Sequence, residues 1–208
     1  MKAAIYFGAG DIRCAEIPDA GLQADHEMLV RVTGTSICGS DLHLYRGALD
    51  AIMDKGKSQT GHELIGEVIA VGRGVTRFKA KDRVSMGYSV SCGHCFMCGQ
   101  GLQSQCETTQ NRDQGTGAAL FGYSKLYGEV AGGQAEYLRV PQAQYTHIKV
   151  PDDGPDERYV YLSDVLPTAW QGVEYAEVPD GGTLVVLGLG PIGSMACRIA
   201  SHRKNATV

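Results

Sequence analysis

No apolar run in this 208-residue sequence approaches the ~20 residues that a membrane span needs. No basic N-terminal region leads into a hydrophobic stretch, so no secretory signal is visible. A Lys/Arg cluster is also missing, and with a formal net charge of -4 a nucleic-acid partner is not expected. The 28 glycines follow no repeat period; spread through the chain, they imply many turns rather than disorder. A disulfide framework is disfavoured too, because the seven cysteines are odd in number and no export signal accompanies them. Metal ligation in a reducing, cytoplasmic setting is the better reading. The length allows a sizeable core, in one large domain or two small ones.

Four of the cysteines sit in "SVSCGHCFMCGQGLQSQC" as Cys92, Cys95, Cys98 and Cys106, spaced C-x2-C-x2-C-x7-C. Four thiolates in one loop suit tetrahedral Zn²⁺, and the intervening Gly93, Gly99 and Gly101 let the backbone fold around an ion. Bacterial ferredoxin spacing differs, since Cys106 matches neither its last gap nor its proline. A structural zinc is expected here, with reactive or disulfide-forming cysteines as the alternative. Because the loop offers no open fourth position, such a metal would hold structure and do no chemistry.

Near the C-terminus "TLVVLGLGPIGSMACRIASHRKNATV" reads as a buried strand, a glycine loop and a helix from Ile192 to about His202. Gly188, Gly190 and Gly193 fit G-x-G-x-x-G. The first glycine allows a tight turn, the second lets the backbone approach a pyrophosphate, and the third lets helix and strand pack closely. The helix N-terminus would present N–H groups to phosphate. The acidic residue that would confirm the motif, about 20 residues on, falls past Val208. NAD and NADP therefore stay undistinguished.

Short strand-like segments fill the first part of the chain. "KAAIYFG" and "IRCAEIP" suggest a hairpin, and "EMLVRVTGTSIC", "ELIGEVIAVG", "DRVSMGY", "GGQAEYLRVP" and "YTHIKVP" continue in the same way. "PDDGP" is a turn cluster and marks the expected boundary between residues 1–151 and 152–208. Beyond it "DERYVYLSDVLPTAWQGVEYAEV" has helical spacing, with Pro167 expected to kink or split the helix. Trp170 reads as core packing, and His26, His94, His147 and His202 as surface or turn residues.

Cys38 in "TSICGSDLHLYRG" and His62 with Glu63 in "TGHELIGEVIAVG" each have an ordinary reading: a small buried hydrophobe, a turn histidine and a solvated charge. Spacing cannot join them, because they lie on separate elements. The order of "CGSDLH", "GHELIGEVIAVG", the four-cysteine lobe, "AGGQAEYLRVP" and "GLGPIG", however, resembles the zinc-dependent medium-chain alcohol dehydrogenases over nearly the whole chain. "LSDVLPTAWQG" is most similar to the glutathione-independent formaldehyde dehydrogenase branch.

That resemblance implies a β-rich GroES-like catalytic domain over 1–151, followed over 152–208 by a linker helix and the start of an α/β Rossmann domain, truncated early. It implies two zinc ions per chain, one catalytic and one structural. Cys38, His62 and Asp164 would hold the catalytic zinc, with Glu63 a neighbouring or alternating ligand. Asp41 would orient His62 from behind. Ser40 would accept the substrate proton and His43 relay it. Thr168 would lie on the nicotinamide side. Ser40 and Asp41 could otherwise simply cap a helix, and His43 could be an exposed turn residue. The implied activity is hydride transfer between a small alcohol or aldehyde and NAD or NADP, with a polyol or threonine dehydrogenase as the variant. A non-catalytic zinc-binding fragment is the reading from another class. Leu184 to Leu187 would lack sheet partners, which puts independent folding after about Asp180 in doubt. The oligomeric state is left open, a homo-oligomer being one outcome.

Overall fold

A computed structural model describes residues 1–208. The chain forms two compact units, Met1–Val160 and Tyr161–Val208.

The first unit opens with an antiparallel hairpin of β1 (Lys2–Gly8) and β2 (Asp11–Glu16). The next strand, β3 (Met28–Thr35), alternates buried and outward residues: Met28 and Val30 go inward while Arg31 faces solvent. Helix α1 (Gly39–Tyr45) follows, then β4 (Leu64–Val71), β5 (Arg83–Met86) and β6 (Ser89–Val90). A single-turn α2 (Phe96–Gly99) sits in the four-cysteine loop before β7 (Ala119–Leu120). The short strands β8 (Tyr137–Val140) and β9 (Ile148–Lys149) complete the unit.

Five of these strands make one antiparallel sheet in the order β8-β3-β4-β5-β9. Its inner face carries Met28, Val30, Leu64, Val68, Val84, Met86, Leu138 and Val140, packed against Phe78 and Phe121. Fully burying each such aliphatic side chain stabilises the unit by ~1.5–3 kcal/mol. The fold matches the β-rich character expected of the region.

Strand register places both groups of candidate ligands. Strands β3 and β4 run antiparallel, with Thr35 opposite Leu64. The chain leaving β3 and the chain entering β4 therefore emerge at the same end of the sheet. Strands β6 and β7 pair Ser89 with Leu120 and Val90 with Ala119, which closes the base of the long four-cysteine loop.

The second unit holds α3 (Val165–Tyr175) and α4 (Pro191–Lys204). Ala169, Val173, Val178, Ile199, Ala200 and Ala206 form its small core. Pro167 neither kinks nor splits a helix. It lies in the first turn of α3, where its missing N–H would have had no intrahelical partner and no helical carbonyl precedes it to clash with. The helix therefore starts just before the proline, and the residues ahead of it form short 3₁₀ turns at Asp156–Arg158 and Val160–Ser163.

Residues 184–187 have the composition of a buried strand but, as expected from their missing sheet partners, are not part of any ladder. The segment alternates partly covered and exposed side chains, but its only pairing is the bridge Thr183–Thr207, with Leu184 N–H donating to Thr207 O at 2.9 Å. Val185 is 76% exposed and Leu187 93%. A strand is defined by its neighbours, and here one bridge is all it has.

Two further expectations need correction. Trp170 is not core; it is 43% exposed, with the Arg203 guanidinium 4.0 Å above its ring, so a cation rather than apolar packing covers it. His147 is not a surface residue. It is 1% exposed and lies beside the Phe121 ring in the sheet core, where burial pushes its imidazole down to about 3, with Arg77 adding to the effect.

Candidate metal centres

In the four-cysteine loop, Cys95 is the N-cap of α2, and its thiol sulfur accepts from Cys98 N–H at 3.5 Å. Cys95 N–H in turn donates to Cys92 Sγ at 3.4 Å, and Cys92 N–H to Cys106 Sγ at 3.4 Å. The Thr108 hydroxyl donates to Cys92 Sγ at 3.1 Å. These donors suit sulfurs carrying negative charge.

All four sulfurs lie within 4.8 Å of one another and none is in a disulfide. Cys95 and Cys106 sulfurs are 3.9 Å apart, against the ~3.8 Å edge of a tetrahedron with Zn–S bonds of ~2.3 Å. Burial pushes the Cys98 thiol up to about 12. Burial would raise Cys106 too, but N–H donation from Cys92 and contacts with Thr109 and Thr108 bring it down to about 6. The donor set fits zinc.

The second group is assembled by the sheet. Cys38 caps the N-terminus of α1, three residues beyond the end of β3. His62 and Glu63 immediately precede β4. Gly61, just before them, has φ +98°, and a Cβ there would lie 2.5 Å from Gln134 N, so only glycine fits this approach. One donor atom from each of Cys38, His62 and Glu63 lies within 4.8 Å of the others.

Asp41 serves both the helix and the histidine. Its Oδ2 accepts from Cys38 N–H at 2.9 Å, capping α1, and its Oδ1 lies 3.5 Å from His62 Nδ1. On the other side of the ring, Ser40 Oγ is 3.3 Å from His62 Nε2. His43, one helical turn after Ser40, is exposed. Glu63 is 2% exposed; Ser36 Oγ donates to its Oε2, while Oε1 has no hydrogen-bond partner. A buried carboxylate oxygen without a donor is costly, and a cation satisfies it. Sulfur, imidazole nitrogen and carboxylate together are zinc's customary donors. The sequence reading assigned nothing to Ser36, which reaches Glu63 only through sheet pairing and leaves no signature in spacing.

The second unit carries the remaining expected residues. Asp164 is the N-cap of α3, and its Oδ1 accepts from the Thr168 hydroxyl at 2.8 Å. Gly190 is the N-cap of α4, a 14-residue helix whose first residue is Pro191. Gly188 has φ +95°, and a Cβ on Gly193 would sit 1.9 Å from Gly188 O. The loop thus has the close turn and close contact for which the first and third glycines of G-x-G-x-x-G are needed.

A family model described as the alcohol dehydrogenase GroES-like domain matches residues 24–152. The chain is 42% identical over 198 residues to AdhB, a zinc-type alcohol dehydrogenase-like protein of Bacillus subtilis (strain 168), covering 94% of this chain and 51% of that protein. It is 38% identical over 209 residues to a glutathione-independent formaldehyde dehydrogenase of Pseudomonas aeruginosa (strain LESB58), covering 96% and 51%. Among solved structures, alcohol dehydrogenase TADH from Thermus sp. ATN1 aligns with a TM-score of 0.88 at 33% identity, over 97% of this chain and 55% of that one. The chain spans about half the length of the curated relatives it matches. With more than half of its residues matched to the family's GroES-like domain, and with relatives of this kind along almost all of it, the chain belongs to the zinc-type alcohol dehydrogenase family.

Proposed function

We propose that this chain forms the zinc-dependent part of a dehydrogenase that moves a hydride between a small alcohol or aldehyde and NAD or NADP. The observation that carries the proposal is the convergence of Cys38, His62 and Glu63 donor atoms at one end of the sheet, with one buried oxygen of Glu63 lacking a hydrogen-bond partner. Asp164 is the proposed remaining ligand, on the family resemblance. Zinc, when bound, supplies Lewis-acid chemistry, polarising the alcohol oxygen and lowering its pKa. The nicotinamide, when bound, accepts or returns the hydride.

The rest falls to the chain. Asp41, facing Nδ1, favours the tautomer of His62 that leaves Nε2 as the donor. Ser40 is proposed to accept the substrate proton, supported by its hydroxyl lying 3.3 Å from His62 Nε2. His43 shares a helix face with Ser40 and is exposed, which suits release of that proton to solvent. Gly188, Gly190 and Gly193 are proposed to take the cofactor pyrophosphate at the start of α4, with Thr168 on the nicotinamide side. Cys92, Cys95, Cys98 and Cys106 are proposed to hold a second, structural zinc. Their free thiols suit a reducing compartment, and the cytoplasm is the proposed one. The likeness to a glutathione-independent formaldehyde dehydrogenase supports formaldehyde as the first substrate to try.

The test is zinc content and NAD⁺ reduction over a panel of alcohols and aldehydes, for the protein and its Cys38→Ser variant. The expected result is loss of one zinc with a fall of at least about a thousandfold in turnover. Turnover that survives Cys38→Ser would overturn the proposal.

A further inference from the structure

We infer that Ser36 is a positioning residue for the Cys38 centre: its hydroxyl holds one oxygen of Glu63 so that the other is presented to the metal. The inference rests on the proposed zinc role of that centre.

The pairing is a product of the sheet. Thr35 stands opposite Leu64, so the next residues outward, Ser36 and Glu63, face each other. Ser36 N–H donates to Glu63 O at 3.1 Å, and Thr35 Oγ1 donates to the same oxygen at 2.8 Å. These two bonds fix the backbone of Glu63. The third, from Ser36 Oγ to Glu63 Oε2, fixes its side chain.

A carboxylate offers two chemically equal oxygens and rotates about its last bond with little resistance. With Oε2 engaged, that rotation is stopped. Oε1 is the oxygen left without a hydrogen-bond partner in a residue 2% exposed, and Glu63 offers a carboxylate oxygen within 4.8 Å of the Cys38 and His62 donor atoms. Removing the hydroxyl leaves two buried oxygens unsatisfied and the carboxylate free to turn. A ligand that must first be ordered binds its metal less tightly, and removing such outer hydrogen bonds characteristically costs about 10–100-fold in affinity.

The experiment titrates the metal-free protein with Co²⁺, whose visible bands report ligand geometry at each site. The four-thiolate loop gives strong charge-transfer absorption and serves as an internal control for folding. In the unaltered protein, occupancy of one ion per donor group is expected. In Ser36→Ala the four-thiolate signal should be unchanged, while the Cys38 site binds Co²⁺ about 10–100-fold more weakly with shifted d–d bands. Ser36→Thr, which keeps the hydroxyl, should restore both. Unchanged affinity and spectrum in Ser36→Ala overturn the inference while leaving the zinc reading intact. An unaltered protein that binds Co²⁺ only at the four-thiolate loop overturns the zinc reading itself, and the inference with it.

Discussion

The carboxylate of Asp41 lies 3.5 Å from the imidazole Nδ1 of His62 while its other oxygen caps the helix that begins after Cys38. One side chain thereby ties the backbone of one proposed zinc ligand to the ring of another. Asp41→Asn keeps a capping oxygen but removes the charge facing the imidazole. Zinc affinity at this centre should fall about 10–100-fold in a chelator competition, with thermal stability nearly unchanged. Asp41→Ala should add a stability loss of ~1 kcal/mol from the lost cap, read by denaturant titration.

The four-cysteine loop, residues 92–106, has little apolar packing of its own beyond Ala118 and the cysteines themselves. Its order should therefore depend on metal, because ligation energy in such sites is folding energy. Cys106→Ser should lose the proposed structural zinc and make residues 91–118 readily cleaved by protease. Resistance equal to that of the unaltered protein would show that the loop is held by packing alone.

Gly193 admits no side chain, since a Cβ would lie 1.9 Å from Gly188 O. Gly193→Ala must push the start of α4 away from the loop before it. Under the proposed cofactor role, NADH binding followed by nicotinamide fluorescence should weaken at least about tenfold, while zinc content stays the same. Equal binding would remove the loop from the cofactor site.

His147 gives an acid-sensitive contribution of known sign. Its folded pKa, about 3, lies below the ordinary 6.5, so as pH falls through 6.5 the unfolded chain takes up a proton that the folded chain refuses. This contribution is nil above about pH 6.5 and becomes increasingly destabilising from there toward pH 3. At pH 4.5 the loss is ~3 kcal/mol on 1.36 kcal/mol per unit. His147→Leu keeps the site apolar and should flatten this part of the stability curve, measured by urea unfolding from pH 7 to 4.5. An unchanged slope would assign the acid limb to other groups.

The sequence was most informative where the chemistry is local. Cys92, Cys95, Cys98 and Cys106 fall within fifteen residues, so their spacing alone confines four sulfurs to one loop, and the structure brings them within 4.8 Å. The β1–β2 hairpin and the helix after Gly190 were legible for the same reason, since turn residues and apolar period act over a few positions. Residues 184–187 have the composition of a strand but one bridge for a partner, because a strand depends on what lies beside it. His147 and Trp170 exchanged their expected places: solvent exposure is set by the whole packing, and neither neighbour, Phe121 nor Arg203, is near in sequence.

What the sequence determined by itself, then, is which donor atoms exist, which of them share a loop, and which backbone turns demand glycine. The meeting of Cys38 with His62 and Glu63 was implied only by the family resemblance, and the tertiary structure supplies its physical reason. Those residues stand more than twenty positions apart on separate elements, and no spacing rule links them. They converge because β3 and β4 pair antiparallel with Thr35 opposite Leu64, which turns two distant stretches of chain into neighbours at one end of the sheet.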